Sequence, residues 1–196
     1  MVELPSRSAG LVEAIHIAPE AGAPMVPLEL ARAIAGSGLG GDRYATGRGH
    51  WSAIRRSGDG LTLIEAEVVE SLAREHGIAL RPGDTRRNVT VRGIRLDELI
   101  GRRFRIGGAL LAGVRRCEPC SYLEGLLDAS VLVPLVHRAG IRADVVEGGE
   151  LAVGDEIVLA AQVASEKRSR IGRTSIARRV IDSSSYGAGK PAMRCR

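Results

Sequence analysis

Aromatic side chains are almost missing from this sequence, which has one Phe, one Trp and three Tyr in 196 residues. That shortage argues against a surface that stacks successive bases of a single nucleic-acid strand. Cysteine is scarce too, at Cys117, Cys120 and Cys195. Three thiols do not make a disulfide framework, so reduced cysteines and a cytoplasmic setting are expected. No apolar run approaches the ~20 residues that cross a bilayer. The N-terminus has no basic region followed by an apolar stretch and a cleavage site, so neither a signal peptide nor a membrane role is expected. His16, His50, His76 and His137 stand at no paired spacing, which weakens any zinc reading.

The formal charge of +5 conceals an asymmetry. Residues 161–196 hold nine Lys or Arg against two Asp or Glu, a balance of +7 that leaves −2 on the preceding 160 residues. The division expected is a domain over residues 1–160 and a basic, disordered tail over 161–196. Nucleic acid is not the expected partner. A non-enzymatic module using the tail to dock on nucleic acid or an acidic partner is a third reading, which steep salt dependence would reveal.

Within the body, residues 10–18, 61–64, 88–91, 104–106, 110–114, 143–146 and 157–160 read as strands. Gly107-Gly108 signals a hairpin between two of them. Residues 65–76 show helical spacing closed by Gly77. Residues 121–127 and 130–139 read as short helices, the second closed by Gly140. Residues 96–100 make one helical turn, and residues 26–34 fit strand or helix equally. Gly148-Gly149 marks a turn. The result is a β-rich α+β domain, a curled sheet or partial barrel. The Gly-rich stretch 36–60 is long for a loop in a compact domain, which marks it as functional and as a possible lid.

Gly36-Ser37-Gly38-Leu39-Gly40-Gly41 has dinucleotide-fingerprint spacing, but Asp42-Arg43-Tyr44 and another glycine cluster follow where a helix is required. The chemistry is expected at Cys117-Glu118-Pro119-Cys120, where an apolar strand gives way to a helix. A thiol at such a junction faces the positive end of a helix dipole, and Arg115 and Arg116 add charge beside it. A redox dithiol of thioredoxin type shares the Cys-x-Pro-Cys pattern, but its motif comes early in a βαβ order. Arg86-Arg87-Asn88, at a strand entry, reads either as a phosphate clamp or as a charged strand edge.

Five segments in order carry a resemblance. They are Gly41-Asp42-Arg43-Tyr44, residues 61–65, Arg87-Asn88-Val89, residues 96–107, and residues 117–123 from Cys117 to Leu123. Together they resemble the MOSC domain, named for the C-terminal domain of molybdenum cofactor sulfurases, over residues 26–159. The resemblance implies a small β-barrel with flanking short helices. It implies one family cysteine that carries sulfur as a persulfide or ligates molybdenum, and Cys120 matches it. Cys117 corresponds to a second thiol found in some relatives. Arg87 and Asn88 match the pair implied to hold the phosphate of the molybdenum cofactor (molybdopterin), and Asp42 and Arg43 match the family's Gly-Asp loop.

Two activities follow from the resemblance. One is a sulfur carrier or transferase, in which Cys120 takes persulfide sulfur and hands it to a molybdenum centre or another acceptor, with Cys117 resolving. No pyridoxal phosphate is expected on this chain, so a pyridoxal-phosphate cysteine desulfurase, or a molybdoenzyme, would be its partner. The other is a molybdenum-cofactor-dependent reductase of N-hydroxylated compounds, with Cys120 as metal ligand and an electron-donor protein as partner. The short chain, without the companion domains of larger relatives, favours the carrier.

Overall fold

Strands dominate in the computed structural model, which describes residues 8–54, 56–127 and 129–160. The elements in chain order are β1 (Ser8–Ile17), β2 (Val26–Leu28), β3 (Leu30–Ile34), β4 (Gly38–Leu39), β5 (Leu61–Glu65), α1 (Ala66–His76), β6 (Val89–Arg92), β7 (Arg103–Ile106), β8 (Ala109–Arg116), α2 (Ser121–Leu127), α3 (Leu132–Leu135), β9 (Ile141–Glu147), β10 (Gly149–Ala152) and β11 (Glu156–Leu159). Residues 161–196, where the sequence places the basic tail, lie outside the described residues.

The main sheet runs β11-β7-β8-β9-β5-β6-β1, and β11 pairs back onto β1. Seven strands therefore close into a barrel. Closure removes the exposed sheet edges that would otherwise recruit another chain. Inward-facing residues fill the interior, among them Ile15, Leu63, Val91, Phe104, Leu111 and Ile157. β5 and β6 run parallel, and α1 makes the crossover between them. That arrangement explains why residues 61–64 are apolar or buried throughout. One face lines the barrel and the other lies under α1, which buries Val68, Val69 and Leu72. Gly77 ends α1 in a left-handed conformation (φ 69°), and its N–H reaches the carbonyls of Leu72 and Ala73.

A second, smaller core lies outside the barrel. Val68 and Leu72 from α1 meet Leu123 from α2 and Val131, Leu135 and Ala139 around α3, with Cys120 packed at its margin. This cluster holds the cysteine loop against the barrel wall.

Residues 26–34, open between strand and helix in the sequence, form β2 and β3, and the helical turn expected at residues 96–100 is a single 3₁₀ turn over Leu96–Leu99. Two other expectations are corrected. The helix expected over 130–139 is confined to Leu132–Leu135. Pro134 contributes no N–H, Val136 is extended at ψ 126°, and His137 is left-handed at φ 59°, so the helix stops before Gly140. Gly149 opens β10, which pairs with β3 in a separate three-stranded sheet.

Candidate functional site

The site begins where β8 ends. A register shift between Gly113 and Arg115 in the β8–β9 pairing marks a bulge, a device that re-aims a strand end. Beyond it, the Cys117 N–H donates to the Gly140 carbonyl at 2.8 Å. Gly140 sits at φ 90°, and a Cβ there would fall 1.8 Å from the Leu63 carbonyl oxygen. Only glycine lets the 137–140 turn press so close to β5 and receive the cysteine loop.

Glu118 fixes the loop from the other side. Its carboxylate accepts the His137 backbone N–H at 2.9 Å and stands 2.9 Å from His137 Nδ1. Burial pushes the Glu118 carboxyl up, but the His137 contacts outweigh it and hold the net value below the ordinary carboxylate range. The same contacts stabilise the left-handed backbone at His137, a conformation that costs energy in any non-glycine residue.

Cys117 and Cys120 both line one narrow cleft, with Arg43, Tyr44, His50, Trp51, Arg86, Arg87, Glu118, Tyr122 and Arg142 also on its walls. Cys117 is buried, at 2% exposure, and Cys120 is half-buried. Cys120 stands just before α2, and its carbonyl accepts the Glu124 N–H. The enclosed part of the cleft has about 50 Å³, room for roughly one or two water molecules or a group of that size.

The positive charge here does not come from the residues adjacent in sequence. Arg115 bonds Asp59 at 3.1 Å, and Arg116 makes a two-pronged pair with Asp97 at 3.0 and 2.7 Å. Successive strand residues point to opposite faces, so the expectation that both flank the thiol is corrected. The cleft arginines are Arg43, Arg86, Arg87 and Arg142, brought together from three separate segments.

Their roles differ. Arg87 is buried and donates to three backbone carbonyls, those of Ala139 (2.8 Å), Thr85 (3.2 Å) and Cys117 (3.1 Å). It thereby ties the β6 entry to the cysteine loop. Asn88 accepts from the Thr62 backbone and hydroxyl through Oδ1, and donates to the His16 carbonyl and Asp42 Oδ1 through Nδ2. Asp42, 1% exposed, also accepts from Ala18 N–H, Arg43 Nη1 and Tyr44 N–H. Asp42 and Asn88 are thus saturated by the protein itself. Arg43 pairs with Asp42, reaches Met25 Sδ and donates to the Arg86 carbonyl.

Arg86 is the exception. Its Nη1 donates to the Ala23 carbonyl at 2.8 Å, while its Nη2 is buried with no hydrogen-bond partner among the described residues. Burial, and then the neighbouring Arg43, lower its pKa. A buried guanidinium nitrogen without an acceptor is costly, and an anion in the cleft would relieve it. The sequence pairs Arg86 with Arg87 at one strand entry, and the family resemblance singles out Arg87 alone of the two. The sequence signal for the difference is weak, because Arg86 sits at φ 58° after a 3₁₀ turn, whereas Arg87 faces the interior.

The Gly-rich stretch covers the mouth. His50 stacks on Tyr122 with ring centroids 4.0 Å apart and planes 7° from parallel, and Trp51 meets His50 edge-on. Its far end is stapled to β9, where Ser57 and Gly58 donate to Asp144. Three of the few aromatic residues, Tyr44, Trp51 and Tyr122, therefore gather at this one cleft.

A wider groove of about 600 Å³ runs between α1 and residues 93–97, without a thiol. Its charges are largely answered by one another, as in Glu65 with Arg95 and Glu75 with Arg138. Among the described residues, no cluster of three or more His, Cys, Asp or Glu stands ready to hold a metal ion. No helix among them is long and apolar enough to cross a membrane.

The fold is shared with known proteins. The profile of the MOSC domain matches residues 57–158, and the chain belongs to that family, which is linked to the molybdenum cofactor. Among solved structures, the YUAD protein from Bacillus subtilis is similar in fold, with a TM-score of 0.65 and 21% identity over 78% of this chain and 97% of that one. YiiM from Escherichia coli superposes at a TM-score of 0.55 with 22% identity, over 81% of this chain and 72% of its own. YiiM from Geobacillus stearothermophilus gives a TM-score of 0.55 at 14% identity, over 81% of this chain and 77% of its own. No curated protein sequence matches the chain.

The cleft's donor set fits the family cofactor. A soft thiolate suits molybdenum, and a guanidinium suits a phosphate.

Proposed function

We propose that this protein is a molybdenum-cofactor-dependent reductase of N-hydroxylated compounds. The observation that carries the reading is the buried, partnerless Nη2 of Arg86 in the same cleft as both thiols. A carrier that exchanges sulfur with a partner protein needs only an approachable thiol. It has no use for a recessed guanidinium lacking an acceptor.

Each residue then has a task. Cys120 is the thiolate offered to the metal, and Arg86 takes the cofactor's phosphate. When bound, the cofactor supplies a metal that changes oxidation state and relays electrons from an external donor protein to an N–O bond. Arg43 and Arg142, paired with Asp42 and Asp59, line the cleft walls. Arg87 holds the Cys117 backbone, and Asp42 and Asn88 fix the strand ends beneath. The His50–Tyr122 stack lines the mouth. The free thiols of Cys117 and Cys120 support a cytoplasmic setting.

A sulfur carrier is the second reading, favoured by the half-exposure of Cys120 and the second thiol in its cleft. Its partner would be a cysteine desulfurase.

Metal analysis and pterin fluorescence after oxidation, on protein from cells able to make the cofactor, separate the two. Stoichiometric molybdenum and pterin, lost in Cys120→Ser and weakened in Arg86→Ala, are the expected result. A folded wild type without either group would favour the persulfide carrier.

A further inference from the structure

Tyr44 is held more rigidly than its place in a Gly-rich loop suggests. Its backbone N–H donates to Asp42 Oδ2 at 3.0 Å. The Arg43 guanidinium carbon lies 5.1 Å from its ring centroid. Gly49 presses on the ring, and a Cβ there would fall 2.7 Å from Tyr44 Cε1. Only glycine permits that contact without displacement.

The phenol is fixed where it meets the site's own groups. Tyr44 lines the cleft with both cysteines. The groups acting on its ionisation are Arg43, Arg142, Cys117 and Asp59. Burial pushes the phenol above its ordinary value, against the pull of the two arginines, so it keeps its proton at neutral pH. Among the described residues, the Tyr44 hydroxyl has no hydrogen-bond partner. Tyr44 and Tyr122 both bring a phenol hydroxyl to these walls, whereas the Thr62 hydroxyl donates to Asn88, and Tyr44 is the one packed between Arg43 and Gly49 and acted on by Cys117.

From this juxtaposition we propose that the Tyr44 hydroxyl is the substrate-oxygen donor of the cleft, binding the N-hydroxyl group and thereby selecting N-hydroxylated compounds over their N–H counterparts. The inference rests on the reductase reading. In that reaction R–NH–OH takes two electrons from a reduced electron-carrier protein and two protons from solvent. The N–O bond breaks, nitrogen gains N–H, and oxygen leaves as water. Tyr44 acts by donating a hydrogen bond to the departing oxygen, which gains electron density as the bond breaks.

The test uses the chain's single tryptophan, Trp51, which lines the same cleft and reports occupancy by fluorescence. The full chain is titrated with benzhydroxamic acid and with benzamide, both uncharged at pH 7. Wild type is expected to bind the N-hydroxyl compound about fivefold to tenfold more tightly, the worth of one good hydrogen bond. Tyr44→Phe, which keeps the ring and its packing, is expected to bring the two affinities together by that same factor. Undiminished discrimination in Tyr44→Phe, or none in wild type, overturns the proposal. Turnover is measured separately on metal-loaded protein, where Tyr44→Phe should lower kcat by about tenfold to a hundredfold with molybdenum content unchanged. Discrimination without turnover in wild type would uphold the Tyr44 site and refute the reductase reading. Turnover with equal affinities in both proteins would do the reverse.

Discussion

The Arg87 guanidinium donates to the Cys117 carbonyl oxygen at 3.1 Å, with two further bonds to Ala139 and Thr85. The strand-entry arginine thus grips the backbone that carries the thiols. Removing it would leave three buried carbonyls short of a donor. Arg87→Ala is expected to lower stability by about 3 kcal/mol, read as a shift in the urea midpoint. Under native conditions its Cys117 should react faster with an aromatic disulfide reagent.

The two thiols should separate by reactivity. Cys120 is half-buried and Cys117 is 2% exposed. In the wild-type protein one of them, Cys120, is expected to react with the same reagent before unfolding. Cys120→Ser should leave Cys117 protected and abolish metal retention and activity. Cys117→Ser should be milder on both counts. Full activity in Cys120→Ser would remove that residue from the centre of the site.

Glu118 gives a pH signature. Its folded-state pKa lies below the ordinary value of 4.5, with burial opposing and His137 contacts dominating. The unfolded chain therefore binds the proton more tightly. The stabilisation is present above about pH 4.5 and is lost as pH falls through the folded value. The urea midpoint of Glu118→Gln should lie below that of wild type at pH 7, and the gap should narrow steadily below pH 4.5. A gap independent of pH would mean that the carboxylate charge does not matter there.

Gly49 tests the packing under the mouth. A Cβ would sit 2.7 and 2.9 Å from Tyr44 ring carbons and 2.9 Å from Ser52 Oγ. Gly49→Ala is expected to displace the ring, alter Trp51 fluorescence and reduce ligand affinity severalfold. Its effect on global stability should be modest, because the loop lies outside the barrel core.

Much of the scaffold is legible from local pattern. The buried run of β5, the spacing of α1 with its Gly77 stop, and the Gly107-Gly108 hairpin are all local signals. Barrel closure is not, because the β1–β11 pairing joins opposite ends of the domain and leaves no mark on either strand. The β3–β10 pairing escaped for the same reason, and Gly148-Gly149 looked like a turn. At the candidate site, the sequence singles out Cys117, Cys120, Arg43, Arg86 and Arg87, which the structure brings to one cleft, while Arg142 carries no sequence signal. The sequence could not show that Arg115 and Arg116 would be taken by Asp59 and Asp97, since both partners are distant in sequence. Nor could it separate Arg87, surrounded by carbonyls, from Arg86, whose Nη2 has none.

Ser8 pairs with Val158 across the β1–β11 seam, side by side and antiparallel. The described domain is therefore entered and left through one port, on strands that also complete its wall. A module wired this way can be spliced into a loop of a host protein, or reopened elsewhere and rejoined across that seam, with little rearrangement of its interior. Swapping such a cassette between hosts would carry the cleft along intact.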